Sequence, residues 1–241
     1  MNARRQRVDG EPAFVLHTYP FRETSLVVEV FTRHYGRVGL VARGARRPRS
    51  ALRGLMMPFQ PLLMSWAGKT ELRTLHKAEW QGGIPQLRGP GLMCGFYLNE
   101  LLMKFLARED PHDRLYDLYQ EAIRSLARPG DPAAVLRRFE KYLLQELGYA
   151  LVLDREADSG RPIDASKRYT YVIERGPVEI GGGDEPAVEL AGSTLLDLAG
   201  DRYTDANTLV QCKLLMRFLV NHYVGNQELL TRQLLREMQQ I

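Results

Sequence analysis

A chain of 241 residues with 44% hydrophobic content can bury a core and divide into two modest domains, and it lacks the composition of a disordered chain. Its longest apolar runs, such as PLLMSWA and LLMRFLV, fall far short of the roughly 20 residues of a membrane-spanning helix, and the opening MNARRQRVDGEPAF has no apolar stretch of the kind a secretory signal carries. The net charge of +4 conceals an uneven division: residues 1–80 hold 14 Lys and Arg against 6 Asp and Glu, while residues 81–241 hold 19 against 23.

The first 80 residues contain five β-rich runs, AFVLHTY, TSLVVEVFT, RVGLVARG, LMMPFQPLLMSW and ELRTLHKAEW, separated by turn material. In the third, Val38, Leu40 and Ala42 alternate with Arg37, Gly39, Val41 and Arg43, so an arginine-bearing face lies opposite an apolar one. Five short strands of this kind predict an OB-fold barrel over residues 1–80. Between Glu29 and Glu71 there is no acid, and eight bases: Arg33, Arg37, Arg43, Arg46, Arg47, Arg49, Arg53 and Lys69. Mixed signs would mark an ordinary solvated face, so an unmixed run points to a polyanion. Barrels of this class bind single strands with a basic groove and stacked aromatics. Phe21, Phe31, Tyr35, Phe59 and Trp66 are available, mostly as core, with Tyr35 beside the RHYGR turn the first choice for the outer face.

From residue 81 the pattern becomes helical, predicting an all-α bundle over 81–241 with an irregular insertion around 149–190. FYLNELLMKFLARED places Leu98, Leu101, Leu102, Phe105 and Leu106 on one face, and a further helix covers Leu115 to Leu126. DPAAVLRRFEKYLLQELGY has Asp131 as N-cap, Pro132 at the first helical position and Gly148 past its end. The insertion holds a hairpin candidate, RYTYVIERGPVEI, and a flexible GGGDE turn. Another helix runs from Ser193, and NTLVQCKLLMRFLVNHYVG is a long apolar helix stopped by Gly225. The fold class is therefore α+β.

Motifs for covalent chemistry fail. AGKT at 67–70 has the end of a phosphate-binding loop, but Leu63 stands where that loop needs glycine and no helix follows. His17, His34, His76, His112 and His222 show no metal-ligand spacing and no nucleophile arrangement, and Cys94 and Cys212 read as small buried thiols in a reducing, cytoplasmic setting. No enzyme, cofactor or metal is expected.

FRETSLVVEVFTRHYGRVGLVARGARRPRS, LRG, PFQPLL and GKTELRTLHKAE, followed by FYLNELL, LRRFEKYLLQELGY and HYVGNQELLTRQLL, resemble in order the blocks of the bacterial RecO family of DNA repair proteins. The resemblance implies an N-terminal OB-fold, a helical C-terminal domain, binding to single- and double-stranded DNA, strand annealing, a nucleoid-associated place in the cytoplasm, and partnership with RecR and the single-stranded-DNA-binding protein. It implies a mediator of recombination with no membrane contact. Phosphate contacts are expected from Arg37, Arg43, Arg46, Arg47, Arg49, Arg53, Lys69 and Arg73, with Tyr35 stacking. The acidic tail of the single-stranded-DNA-binding protein is expected on a pocket of Val135, Leu136, Phe139 and Leu143, rimmed by Arg137 and Arg138, with Leu102 and Lys104 from the neighbouring helix. Composition alone leaves open an RNA-binding or translation-associated OB module.

Many members of that family carry a four-cysteine zinc site after the LGY block, whereas GYALVLDREADSGRPID contains no cysteine. Metal analysis of the purified protein is accordingly expected to show no stoichiometric zinc, and a chelator to leave its melting temperature unchanged. One tightly held zinc per chain would refute this.

Overall fold

The computed structural model describes residues 6–149, 151–180, 187–225 and 228–238. The chain forms two compact units, Met1–Gly130 with Leu229–Ile241, and Asp131–Glu228. The change from strand to helix falls between Trp80 and Gly89, well before the division between the units.

Strands β1 (Gln6–Phe21), β2 (Ser25–Thr32), β3 (Gly36–Ala42), β4 (Leu62–Gly68) and β5 (Leu72–Trp80) close into a barrel of order β1-β2-β3-β5-β4, in which β1 also pairs with β4. This is the OB-type barrel expected. The first strand is much longer than the AFVLHTY run. Its later residues pair with β2 from Ala13 to Phe21, and its earlier ones with β4 from Gln6 to Ala13. Register shifts between Val8 and Glu11 and between Val15 and His17 bend it enough to serve both neighbours. The fourth run is not one strand: it opens on the last residue of the short helix α1 (Leu52–Leu55), passes through a turn, and only then enters β4. Pro58 and Pro61 lack the N–H that a ladder needs, so pairing starts only at Leu62. AGKT is the tip of the β4–β5 hairpin.

Alternation fills the barrel as the pleat requires. Val28 and Val30 of β2, Val38, Leu40 and Ala42 of β3, Leu62, Met64 and Trp66 of β4 and Leu75 of β5 form its interior. The outer face of β1 and β2 is also buried in part, because helices α2 (Gly89–Phe105) and α3 (Asp113–Leu126) pack there. Phe14 and Phe31 meet Tyr116 and Tyr119 with ring centroids 5.1–6.1 Å apart. At this joint the Asn99 side chain donates to the Leu16 carbonyl at 2.9 Å and accepts from the Tyr119 hydroxyl at 2.6 Å, all of it buried.

The second unit contains α4 (Ala133–Glu146), strands β6 (Arg168–Val172), β7 (Gly176–Glu179) and β8 (Ala187–Ala191), and helices α5 (Gly192–Ala199) and α6 (Ala206–Val224). The N-cap is Pro132 and not Asp131 as expected, so α4 begins one residue later; Asp131 stands just outside the helix, its carboxylate accepting from the Ala133 N–H at 2.9 Å. β6 and β7 are the expected hairpin; β8 adds a third strand, giving the order β7-β6-β8. The GGGDE segment at 181–185 lies outside the described residues. Both cysteines are buried and unlinked, and burial, above all, pushes the Cys212 thiol up to about 12. Helix α7 (Leu230–Met238) closes the first unit, where the Glu100 carboxylate on α2 accepts from the N–H groups of Leu230 and Thr231 at 2.7 and 2.9 Å and caps the helix.

Asn99→Ala strips the Leu16 carbonyl and the Tyr119 hydroxyl of a buried partner. A loss of about 2–4 kcal/mol is expected from the denaturant midpoint, because buried groups without their partners cost about 1–3 kcal/mol each.

Candidate nucleic-acid interface

Beyond Ala42 the chain makes a run of tight turns, with the N–H groups of Arg47, Ser50 and Arg53 donating to the carbonyls three residues earlier at 3.0–3.1 Å. Gly44, at φ +68°, makes the first of these possible. Apolar residues tie the segment down: Ala45 and Met56 are buried in the barrel core, and Leu52 and Leu55 pack against it. The intervening Arg43, Arg46, Arg47, Arg49 and Arg53 are all exposed. Among the described residues none of the five forms an ion pair. The loop is thus an ordered scaffold with uncompensated cations on its outer side.

A sixth cation joins them. The Arg46 N–H donates to the Thr24 carbonyl at 2.8 Å, which sets the β1–β2 turn beside the loop, and that turn carries exposed Arg22, its guanidinium 5.2 Å from the Phe21 ring. The sequence pattern missed Arg22 because Glu23 follows it; its signal was its place in the β1–β2 turn, at the end of β2 where Leu26 pairs with Ala42, one residue before the arginine run.

The sheet next to these cations is open on its outer face. Register aligns Tyr19, Val27, Val41 and Thr74 in one row across β1, β2, β3 and β5, and Arg43 opens the turn directly after β3. Tyr19 is 45% exposed and its ring lies 4.5 Å from that of His17. Tyr35, the aromatic favoured from sequence, is half-buried and stands edge-on to core Trp66 at 5.6 Å. Tyr19 occupies the outer face in its place.

Three of the expected phosphate contacts stand elsewhere. The Arg37 guanidinium donates to the Met103 carbonyl and lies 3.8 Å from buried Glu29, which also pairs with Arg108. Arg73 is 6% exposed and pairs with Glu109 at 2.8 Å. The segment after α2 runs along β3, its Glu109 N–H donating to the Arg37 carbonyl at 3.0 Å, and comes so close that a Cβ on Gly36 would meet the Asp110 carbonyl oxygen at 2.1 Å. Glu29 on the neighbouring strand and Glu109 beyond α2 therefore neutralise these two arginines and make them structural. Lys69 is exposed, but it lies past the β5 end that begins opposite Gly39, on the order of 20 Å along the ladder from Arg43.

The expected pocket on α4 is mostly packing surface. Phe139 and Leu143 are buried, Val135 and Leu136 are half-buried, and Arg137, 7% exposed, pairs one turn on with fully buried Glu140 at 3.0 Å. Arg138 is exposed and lies 3.8 Å from Asp201. Leu102, fully buried, and Lys104 belong to the other unit. An apolar stripe on a helix is consumed by its own core unless neighbouring elements leave it open, and here α4 packs on α6. Sequence also passed over Lys141. Buried in α4, it donates to the Leu198 carbonyl at 3.0 Å and pairs with Asp201 at 2.6 Å. Burial alone would raise the Asp201 carboxyl, but bonds from Lys141, Tyr142 and Tyr203 outweigh it and hold the group below the usual range.

An OB-type barrel closed by a long bent first strand, with a cationic loop over one end, defines the class of protein. A family model described as Recombination protein O N terminal matches residues 10–83, and one described as Recombination protein O C terminal matches residues 89–202. The chain is 56% identical to the DNA repair protein RecO of Aromatoleum aromaticum over 99% of its own length and all of the relative's, and 56% identical to that of Nitrosospira multiformis over the whole of both chains. The DNA repair protein RecO of Dechloromonas aromatica is 52% identical over 98% of this chain and 99% of its own. The chain belongs to the RecO family and has a role in DNA repair and recombination. Among the described residues no helix is long and apolar enough to cross a membrane.

The two sets of arginines separate by stability. Arg37→Ala removes one of two cations from buried Glu29 and is expected to cost about 2 kcal/mol, below the ~3–5 kcal/mol of a fully broken buried pair because Arg108 stays. Single alanine substitutions at Arg46, Arg47 or Arg49 are expected to stay within about 0.5 kcal/mol of the parent in the same urea titration.

Proposed function

We propose that this chain binds single- and double-stranded DNA through the arginine loop, the β1–β2 turn and the open sheet face beside them, and anneals complementary strands without making or breaking a bond. One observation carries the reading: Arg22, Arg43, Arg46, Arg47, Arg49 and Arg53 are exposed and lack ion pairs among the described residues. Guanidinium groups in such an array replace the counterions condensed on phosphates, and their release drives binding with no reading of base identity. Two complementary strands held on one cationic surface lose much of their mutual repulsion, which favours pairing.

As a mediator, the protein helps a recombinase onto DNA coated by the single-stranded-DNA-binding protein. The acidic tail of that protein and RecR are its protein partners. Family membership supports this part of the reading; the α4 stripe does not.

With about six phosphates contacted, log affinity for single-stranded DNA is expected to fall against log salt with a slope of roughly −4, at about 0.7 per phosphate. Replacing Arg46, Arg47 and Arg49 together with Glu should nearly abolish binding while leaving the melting temperature close to that of the parent. Unchanged affinity in this variant would remove the loop as the DNA site. The mediator role is tested by strand annealing on DNA coated with the single-stranded-DNA-binding protein, where addition of this chain is expected to raise the rate; equal rates with and without it would overturn that role.

A further inference from the structure

Trp80, the last residue of β5, is 60% exposed, more than any Phe or Tyr among the described residues. An indole is the largest apolar side chain, and leaving it in water forgoes burial that a small barrel needs. It is not a loose end. Its Nε1–H donates to the Gln60 side chain at 2.9 Å, Gln60 in turn donates to the Ile84 carbonyl at 3.4 Å, and the Gln81 N–H donates to the Pro61 carbonyl at 2.9 Å. The ring is therefore held at a set place with its single polar atom already satisfied. What it still offers is apolar surface.

The position of Gln60 gives that surface a partner. The chain from Arg43 to Gln60 is continuous: the arginine loop passes into α1, which carries exposed Arg53 and packs against β5, and then reaches the glutamine that orients Trp80. The charges on the end of β5 cancel locally, since Lys77 pairs with Glu79 at 2.9 Å. That pair leaves the strand end with little net charge to repel a polyanion. We propose that Trp80 is a stacking platform for a base of single-stranded DNA whose phosphates run along the arginine loop. The assignment rests on the DNA reading above and extends it. Any base has a flat face, so such a platform adds affinity without sequence preference, and it acts on unpaired strands because duplex bases are already stacked. Trp80 would then favour single strands over duplex, a bias that the arginines alone cannot supply.

The chain's two tryptophans make the test direct. Trp66 is fully buried in the barrel core, so quenching of indole emission by an added oligonucleotide reports on Trp80. Titration of the full chain with oligothymidylate is expected to quench the emission, whereas the Trp80→Phe variant, which keeps a stacking ring, should bind with affinity near the parent's and show Trp66 emission that does not change. Trp80→Ala should weaken binding of oligothymidylate about tenfold, within the range of one lost base–aromatic stack. It should leave both the salt slope and the duplex affinity as they were, because no phosphate contact is lost. Binding is followed in parallel by anisotropy of labelled DNA. Single-strand binding by anisotropy with unquenched emission, or with parental affinity in Trp80→Ala, overturns the platform and leaves the loop reading standing. No binding by anisotropy overturns the DNA reading itself. If Trp80→Ala fails to fold, judged by its melting curve, the quench in the parent still decides.

Discussion

The first unit depends on one strand pairing with two partners. β1 must reach β4 with its first residues and β2 with its last, and it can do so only by bending at two register shifts. Closure leaves the barrel without a long free edge and brings β3 and β5 side by side as a parallel pair. Each later feature of the first unit follows from that closure. The β1–β2 turn comes to lie at the end of β3, so its carbonyl at Thr24 can receive the Arg46 N–H, and α1 comes to lie across β5.

The second constraint is electrostatic. A barrel that carries arginines must either present them to water or pair them, and this molecule does both, pairing Arg37 and Arg73 on its strands and presenting those of the loop after β3. At the Gly36 end of β3, the segment following α2 covers the surface and supplies a carboxylate for Arg73, while Arg37 and Arg108 share Glu29. At the Ala42 end nothing among the described residues covers the surface, and the arginines remain uncompensated. Buried pairs of the first kind hold helices to barrel at a cost in desolvation, and add nothing to long-range attraction of a polyanion. Exposed cations of the second kind add little to stability and create the attractive field.

Aromatic residues divide in a similar way. Phe14, Phe31, Tyr116 and Tyr119 are spent on the joint between barrel and helices, and Trp66 fills the barrel. Tyr19 and Trp80 stay exposed, one on the open sheet row and the other at the end of β5. The helical half shows the same economy with charge: Arg137 pairs with Glu140 and Lys141 with Asp201 inside the second unit, so neither is a surface cation.

Local pattern was enough to determine the five-stranded barrel, the change to helices after Trp80, the β6–β7 hairpin and the acid-free arginine loop, because alternation, helical period and turn residues act over a few positions. The loop arginines were legible for the same reason: within 43–53 there is no acid to pair with them, and the apolar anchors sit at intervals that leave them outward. What became of Arg37 and Arg73 was decided elsewhere, by Glu29, Glu109 and the carbonyl of Met103, which reach them through pairings 8 to 66 residues away. Arg22 and Tyr19 joined the candidate interface through strand register, and Tyr35 and the α4 stripe left it through packing. Charge, exposure and neighbourhood are properties of what a side chain faces after folding, and that depends on contacts across the chain, which no short stretch of sequence contains.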